Sequence, residues 1–209
     1  MRPRDEAKIE VIHAETVRLV AEHGFDGLSM HKLAKAAGVS AATLYIYFKD
    51  REDLIEQVGV ASMRRLVEAS LAGFEPEMSL AEGLRVQWHN RSRYILAHPH
   101  ELQFLEALRF SRFESAVMDR QQSAFREVMR PFLHGAVARG ELQPMEPEVF
   151  WSLAFAPLYQ LLKFHLNKAG FMRRPFRFTE THFEQSLAAV LRALTPPAVS
   201  NDGAGKGDF

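Results

Sequence analysis

Residues 29–49, SMHKLAKAAGVSAATLYIYFK, put small and apolar side chains where two short, steeply crossing helices need them. A helix-turn-helix requires small residues at the crossing and a turn residue that tolerates positive φ. Ala34 stands midway along the first helix, where a larger group would push the second helix away, and Gly38 is the turn residue. Val39 points back into the crossing, and Ser40 carries the hydroxyl that caps a following helix. Leu33, Ala37, Leu44 and Phe48 form the apolar underside, the last two by i,i+4 spacing. Ala41, Ala42, Thr43, Tyr45 and Tyr47 are left as a small or hydroxylated surface able to enter a groove.

Outward from this hairpin the chain reads as helix almost throughout. Residues 5–23 carry Ile9, Ile12, Thr16, Leu19 and Val20 at helical spacing and stop at Gly24. Helices are predicted over 29–37 and 40–47, and Asp50 caps another running to about residue 72, interrupted by Gly73 and Pro76. Further helices are predicted near 79–97, 99–111, 114–139, 147–168 and 179–194, separated by Pro99, Gly140, Pro144 with Pro147, and Gly170 with Pro175. No stretch alternates with period two for long enough to make a sheet, so the fold class is all-α. The tail over 196–209, PPAVSNDGAGKGDF from Pro196, has the composition of a disordered segment.

With 209 residues the chain is long enough for one large or two small domains. No apolar run approaches the roughly 18 residues of a membrane span, the N-terminal MRPRDEAKIE lacks a hydrophobic leader, and there is no cysteine. A cytoplasmic protein is expected, with no membrane partner. The net charge is zero, and residues 1–51 balance eight Lys/Arg against seven Asp/Glu, which excludes an indiscriminate nucleic-acid coat. Arg2, Arg4, Lys32, Lys35, Lys49 and Arg51 nonetheless gather around the hairpin. That distribution predicts selective binding with few phosphate contacts and a modest salt slope.

The ordered series Gly24-Phe25, Leu28-Ser29, Leu33-Ala34, Ala37-Gly38-Val39-Ser40, Thr43-Leu44-Tyr45, Tyr47-Phe48 and Asp53-Leu54 resembles the tetracycline-repressor (TetR) family of bacterial transcriptional regulators. The resemblance covers residues 19–58. It implies a three-helix DNA-binding domain over 1–50 and a helical effector-binding and dimerisation domain over 51–195. It further implies that Tyr45 approaches the groove, that Tyr47 hydrogen-bonds a phosphate, and that Lys49 and Arg51 contact phosphates. Packing aromatics and solvated surface charge are the other readings of these four residues. Ser29 and Ser40 start helices, whose N-termini suit phosphates, and His31 and Lys32 could add base or phosphate contacts. Ala41, Ala42 and Thr43 would meet base edges, with mostly methyl contact, so DNA shape should carry much of the specificity.

The second half is rich in aromatics. Trp88, Tyr94, Phe104, Phe110, Trp151, Phe155 and Tyr159 are candidates for an effector pocket, which the resemblance places among the middle helices; plain core is the alternative. An amphipathic or aromatic small molecule is expected there. Arg91, Arg93, Arg109 and Arg112 could anchor an acidic group if any of them faces inward. Leu153, Leu161, Phe164, Phe183, Leu187, Val190 and Leu191 give the segments 147–168 and 179–194 more apolar surface than one subunit needs. That surface predicts a homodimer through a four-helix interface, the dimerisation mode that the resemblance also implies. The alternative is monomer core. His98-Pro99-His100 reads as a surface turn, since proline breaks the i,i+4 geometry of helical zinc sites and no cysteine stands near. There is no P-loop, no GxGxxG after a strand, no GxSxG and no HExxH, so no catalytic residue, cofactor or metal is expected. The function predicted is a ligand-responsive DNA-binding regulator, a repressor released from a palindromic operator by its effector. A ligand-independent DNA-binding protein, and more remotely an enzyme, are the other readings.

Overall fold

The computed structural model describes residues 3–197, with side chains over 6–118 and 125–197. Ten α-helices follow in order: α1 (Pro3–Gly27), α2 (Met30–Ala36), α3 (Ala41–Tyr47), α4 (Arg51–Ser70), α5 (Leu80–Ala97), α6 (Pro99–Arg109), α7 (Glu114–Ala138), α8 (Pro147–Ala154), α9 (Ala156–Leu166) and α10 (Glu180–Leu194). Among the described residues the β-structure is a single isolated bridge, Ala169 with Pro175. The all-α expectation holds. The segment from residue 198 onward, part of the tail read as disordered, lies outside the described residues.

Local chemistry sets the boundaries. Gly24, at φ +68° and ψ 178°, breaks α1 where the sequence stops the first helix. The Asp50 carboxylate accepts the backbone N–H groups of Glu52 and Asp53 at 2.9 Å and starts α4. Ser79 and Glu82 form a reciprocal capping box at the start of α5. One prediction fails in an instructive way: residues 147–168 are two helices, not one. Phe155 breaks the run at φ −124° and ψ −30°, two residues before Pro157, which has no N–H for the carbonyl of Leu153 and stands in the first turn of the next helix.

Two apolar cores result. The first joins α1, α2, α3 and the beginning of α4 to Phe104, Leu105 and Leu108 of α6 and to Phe113 and Val117. Phe25 stands edge-on to Phe104 at 6.5 Å and lies 5.3 Å from Phe113, so the end of α1, which leads into the helix-turn-helix, is seated directly on α6. The second core fills the space among α5, α7, α8, α9 and α10. Its tightest approach is at Gly83, where a Cβ would come within 2.5 Å of the buried Phe132 ring. Tyr94 packs against both cores.

A polar cluster marks the junction. Arg65 on α4 pairs with Glu10 of α1 at 2.9 Å and faces Glu101 of α6 at 3.8 Å. Burial, with Glu101 next, pushes the Tyr94 hydroxyl up to about 12. His13 is buried with its Nδ1 unpartnered, 6.3 Å from the Phe48 ring. Burial first, and Arg65 second, push this imidazole down to about 4. The unfolded chain therefore takes up this proton more readily than the folded one. The contribution of His13 is intact above pH about 6.5 and is lost as the pH falls toward 4. At pH 5 the loss should be about 2 kcal/mol. Urea midpoints at pH 7 and pH 5 test this: His13→Phe should flatten that acid limb.

Candidate functional site

The α2–α3 hairpin is built as its spacing requires. Ser29 caps α2 by accepting the Lys32 N–H at 3.2 Å, and Ser40 caps α3 by accepting the Thr43 N–H at 3.1 Å. Gly38 takes φ +66°, and the Val39 N–H donates back to the Ala34 carbonyl at 2.9 Å, which closes the turn. Leu44 and Phe48 anchor α3 in the core. What remains outside is a stripe: Ala42, Tyr45 and Ile46 are exposed at i, i+3 and i+4, and Lys49 is exposed just beyond the end of the helix. Ile46 is 76% exposed, the most exposed side chain of this apolar size on the hairpin. The sequence reading passed over it, although Leu44 and Phe48 facing inward already oblige the residue between them to face out.

The other predicted contact residues divide. His31 is exposed beside the start of α2, while the Lys32 ammonium donates to the Gly27 carbonyl at 3.2 Å. Ala41 and Thr43 are half-buried, and the Thr43 hydroxyl lies 2.9 Å from that of Ser40. Tyr47 is half-buried, its ring edge-on to Phe48 and lining a groove with Ile9, His13 and Gln57. Lys49 keeps its ammonium at the surface while its backbone N–H donates to Asp53 at 2.8 Å.

Arg51 is held differently from Lys49. Its guanidinium turns inward, donating from Nε to the Leu28 carbonyl at 2.9 Å and from Nη2 to the Phe25 carbonyl. Two main-chain acceptors at the end of α1 thus hold the group for which the resemblance implied a phosphate contact. The two cations should behave differently. Lys49→Ala should weaken DNA binding with no change in melting temperature, and lower the salt slope by about 1 for each phosphate contact removed. Arg51→Met should lower the melting temperature, leaving the Leu28 carbonyl unmet at about 1–3 kcal/mol while the Phe25 carbonyl keeps the Leu28 N–H. Its salt slope should stay close to that of the wild type. Melting curves and salt-dependent binding of both variants make the comparison.

With this geometry in view, residues 12–58 match the family model described as bacterial regulatory proteins, tetR family. A solved TetR family transcription regulator from Marinobacter aquaeolei VT8 is 31% identical, covering 94% of this chain and 100% of its own, with a TM-score of 0.84. The chain belongs to the TetR family. A TetR family protein from Vibrio parahaemolyticus is 30% identical over 90% of this chain and 98% of its own, with a TM-score of 0.73. Among curated proteins, an uncharacterised HTH-type transcriptional regulator of Haemophilus influenzae is 34% identical over 90 residues, 43% of this chain. The fatty acid metabolism regulator protein of Bacillus subtilis is 32% identical over 68 residues, 32% of this chain. The chain spans about half the length of the first of these two (48%) and about a third of the second (34%). As a TetR family member the protein is a DNA-binding transcriptional regulator, and its family is one of regulators rather than enzymes.

The aromatic candidates of the second half separate in space. Phe104 is not with the others: it lies in the first core beneath Phe25. Phe110 is 89% exposed, at the end of α6. Tyr94 faces the junction, 4.8 Å from His98. Trp88 is wholly buried, edge-on to Phe183, with its Nε1–H donating to the Ala154 carbonyl at 2.8 Å. Trp151, Phe155 and Tyr159 do come together. Trp151 lies 4.8 Å from Phe155 and stacks on Tyr159 at 6.4 Å. Of the four arginines, Arg93, Arg109 and Arg112 are exposed, whereas Arg91 is 2% exposed and turned into the helical bundle.

The predicted interface residues also divide. Phe183, Leu187 and Val190 are buried within the protomer core, packing α10 against its own chain, and so have no surface to give a partner. Leu153, Leu161, Phe164 and Leu191 are half-buried, and the Phe164 ring lies 5.8 Å from Phe176. The outer face of α10 carries Gln185, Ala188, Ala189 and Arg192, which recur at i, i+3, i+4 and i+7. Among the described residues no cluster of three or more His, Asp or Glu could hold a metal, and no helix is long and apolar enough to cross a membrane.

Proposed function

We propose that this protein works as a homodimer on a palindromic operator and is released from it by a small amphipathic or aromatic effector. The observation that carries the DNA side is the exposed stripe Ala42, Tyr45 and Ile46 on a short helix whose opposite face is fixed in the core, with Lys49 exposed just past its end. Two such helices would enter successive major grooves roughly 34–36 Å apart. Tyr47 and Lys49 would hold phosphates, as would the helix starts at Ser29 and Ser40 with His31 and Lys32 nearby. Ala41, Ala42 and Thr43 would face base edges, and Ile46 adds an apolar contact of the kind that thymine methyl groups offer. Domain limits of 1–50 and 51–195 describe this division of labour, and a cytoplasmic location follows from an operator on DNA.

The dimer is proposed through α8, α9 and α10. The exposed alanines of α10 allow close approach of a symmetry-related helix, and Leu153, Leu161, Phe164 and Leu191 have surface left to bury. Release requires an effector that binds one spacing of the reading helices more tightly than the other, with coupling of about 1–3 kcal/mol. Both α4 and α6 support that coupling, because α4 runs through the Arg65 cluster and α6 carries Phe104 against the end of α1 that leads into the hairpin. The test is selection of duplexes from a random pool by the purified protein, alongside sedimentation analysis. A two-fold symmetric site bound by a dimer is expected; a monomer in solution, or recovery of no preferred sequence, defeats the proposal.

A further inference from the structure

Arg91 sits on α5 in an unusual state for a cation: 2% exposed, with no carboxylate within ion-pairing distance among the described residues. Taking a guanidinium out of water without a counter-charge costs several kcal/mol. What surrounds it returns part of that. Nη1 donates to the Tyr159 hydroxyl at 2.7 Å and Nη2 to the Gln87 side-chain carbonyl at 3.2 Å. The guanidinium carbon lies 4.4 Å from the Phe155 ring centroid, 5.4 Å from Trp151 and 5.8 Å from Phe125. All of these partners are neutral. The Nε–H is buried with no acceptor among the described residues. Among those residues two of the five guanidinium donors find partners, and the third edge is left over in a fixed orientation.

We propose that Arg91 is the anchor of the effector site, and that the effector is an organic carboxylate on a flat or chain-like apolar body. One buried positive charge calls for one negative charge, which a carboxylate supplies, and its two oxygens match the guanidinium fork. Phe125, Trp151 and Tyr159 are half-buried, so they form the apolar walls between Arg91 and the surface. Arg109, exposed, lies 6.0 Å from the same Trp151 ring and puts a second cation at the rim, where it draws an anion inward. The helix that carries Arg91 leads through His98 into α6, whose Phe104 packs on Phe25 at the end of α1, so a ligand seated here bears on the DNA-binding end. This proposal rests on the effector reading above and names the chemistry of its ligand.

The experiment uses full-length protein and two pairs of probes: 2-naphthoate against 2-naphthamide, and decanoate against decanamide. Each is measured by titration calorimetry and thermal melting on wild type and on Arg91→Met. At least one carboxylate should bind the wild type at least tenfold more tightly than its amide and raise its melting temperature. Arg91→Met should lose that preference, while it melts at or above the unliganded wild type because an apolar chain of similar length removes an uncompensated charge. Equal binding of acid and amide overturns the proposal, as does failure of both acids to bind, or an Arg91→Met that still prefers the acid. Should the variant not fold, the wild-type comparison of acid with amide decides alone. Release of the wild type from its selected duplex separates the two readings. Carboxylates that bind without weakening DNA binding defeat the effector reading and keep the anion site; release by the amides as readily as by the acids does the reverse.

Discussion

Trp88→Ala should remove about 3–5 kcal/mol from a fold whose whole stability is of the order of 5–15 kcal/mol. The indole is fully buried in the second core and lies edge-to-face on Phe183, 5.6 Å between centroids, on the helix opposite. Its removal opens a cavity among α5, α8 and α10. It also strips the Ala154 carbonyl, at the very break between α8 and α9, of the N–H that satisfies it at 2.8 Å. Trp88→Phe separates the two losses, since it keeps most of the ring and gives up the donor; an unmet buried carbonyl alone costs about 1–3 kcal/mol. Urea unfolding of both variants is the measurement. An alanine variant within 1 kcal/mol of the wild type would mean that α8 and α10 do not depend on this contact.

The second large effect is on binding, with folding left intact. Ala42→Glu places a carboxylate on the exposed stripe of α3, in its first turn, where a negative charge is favourable to the helix by a few tenths of a kcal/mol. Against a duplex the same charge meets phosphates and acceptor-rich base edges. At about 1–3 kcal/mol for each copy and two copies in a dimer, the loss is about 30-fold to more than 10⁴-fold in operator affinity. The melting temperature should hold or rise slightly. Lys49→Ala, by comparison, takes away only its phosphate contacts. If Ala42→Glu binds the selected duplex as the wild type does, α3 is not the helix that reads it.

The hairpin was legible because its constraints are local. Ala34, Gly38, Val39 and Ser40 act on neighbours a few residues away, and small size, positive φ and a capping hydroxyl are properties of the residue types themselves. Helix ends at Gly24, Asp50 and Ser79 were legible for the same reason. Pro157 was local too, and its consequence for a helix starting near residue 147 could have been read from its missing N–H.

Direction was harder to read than helicity. Arg51 looks in sequence like any cation after a helix-turn-helix, and only the fold brings the carbonyls of Phe25 and Leu28, more than twenty residues upstream, to its guanidinium. Phe104 and Trp151 are both aromatic residues at helical spacing. One supports α1 and the other lies against Arg91, because α6 packs on α1 whereas α8 brings its rings to α5. Phe183, Leu187 and Val190 made α10 look like an interface helix, yet that stripe is what attaches α10 to its own subunit.

The sequence by itself determined the helices, the hairpin and the family, since short-range backbone and capping preferences act on adjacent residues whatever the rest of the chain does. Tertiary structure alone decided which of four arginines is buried, which aromatic rings share a site, and which helix supports the reading head. Those outcomes depend on packing between segments far apart in the chain, where one position along a helix swings a side chain by about 100° and turns a surface cation into an interior one.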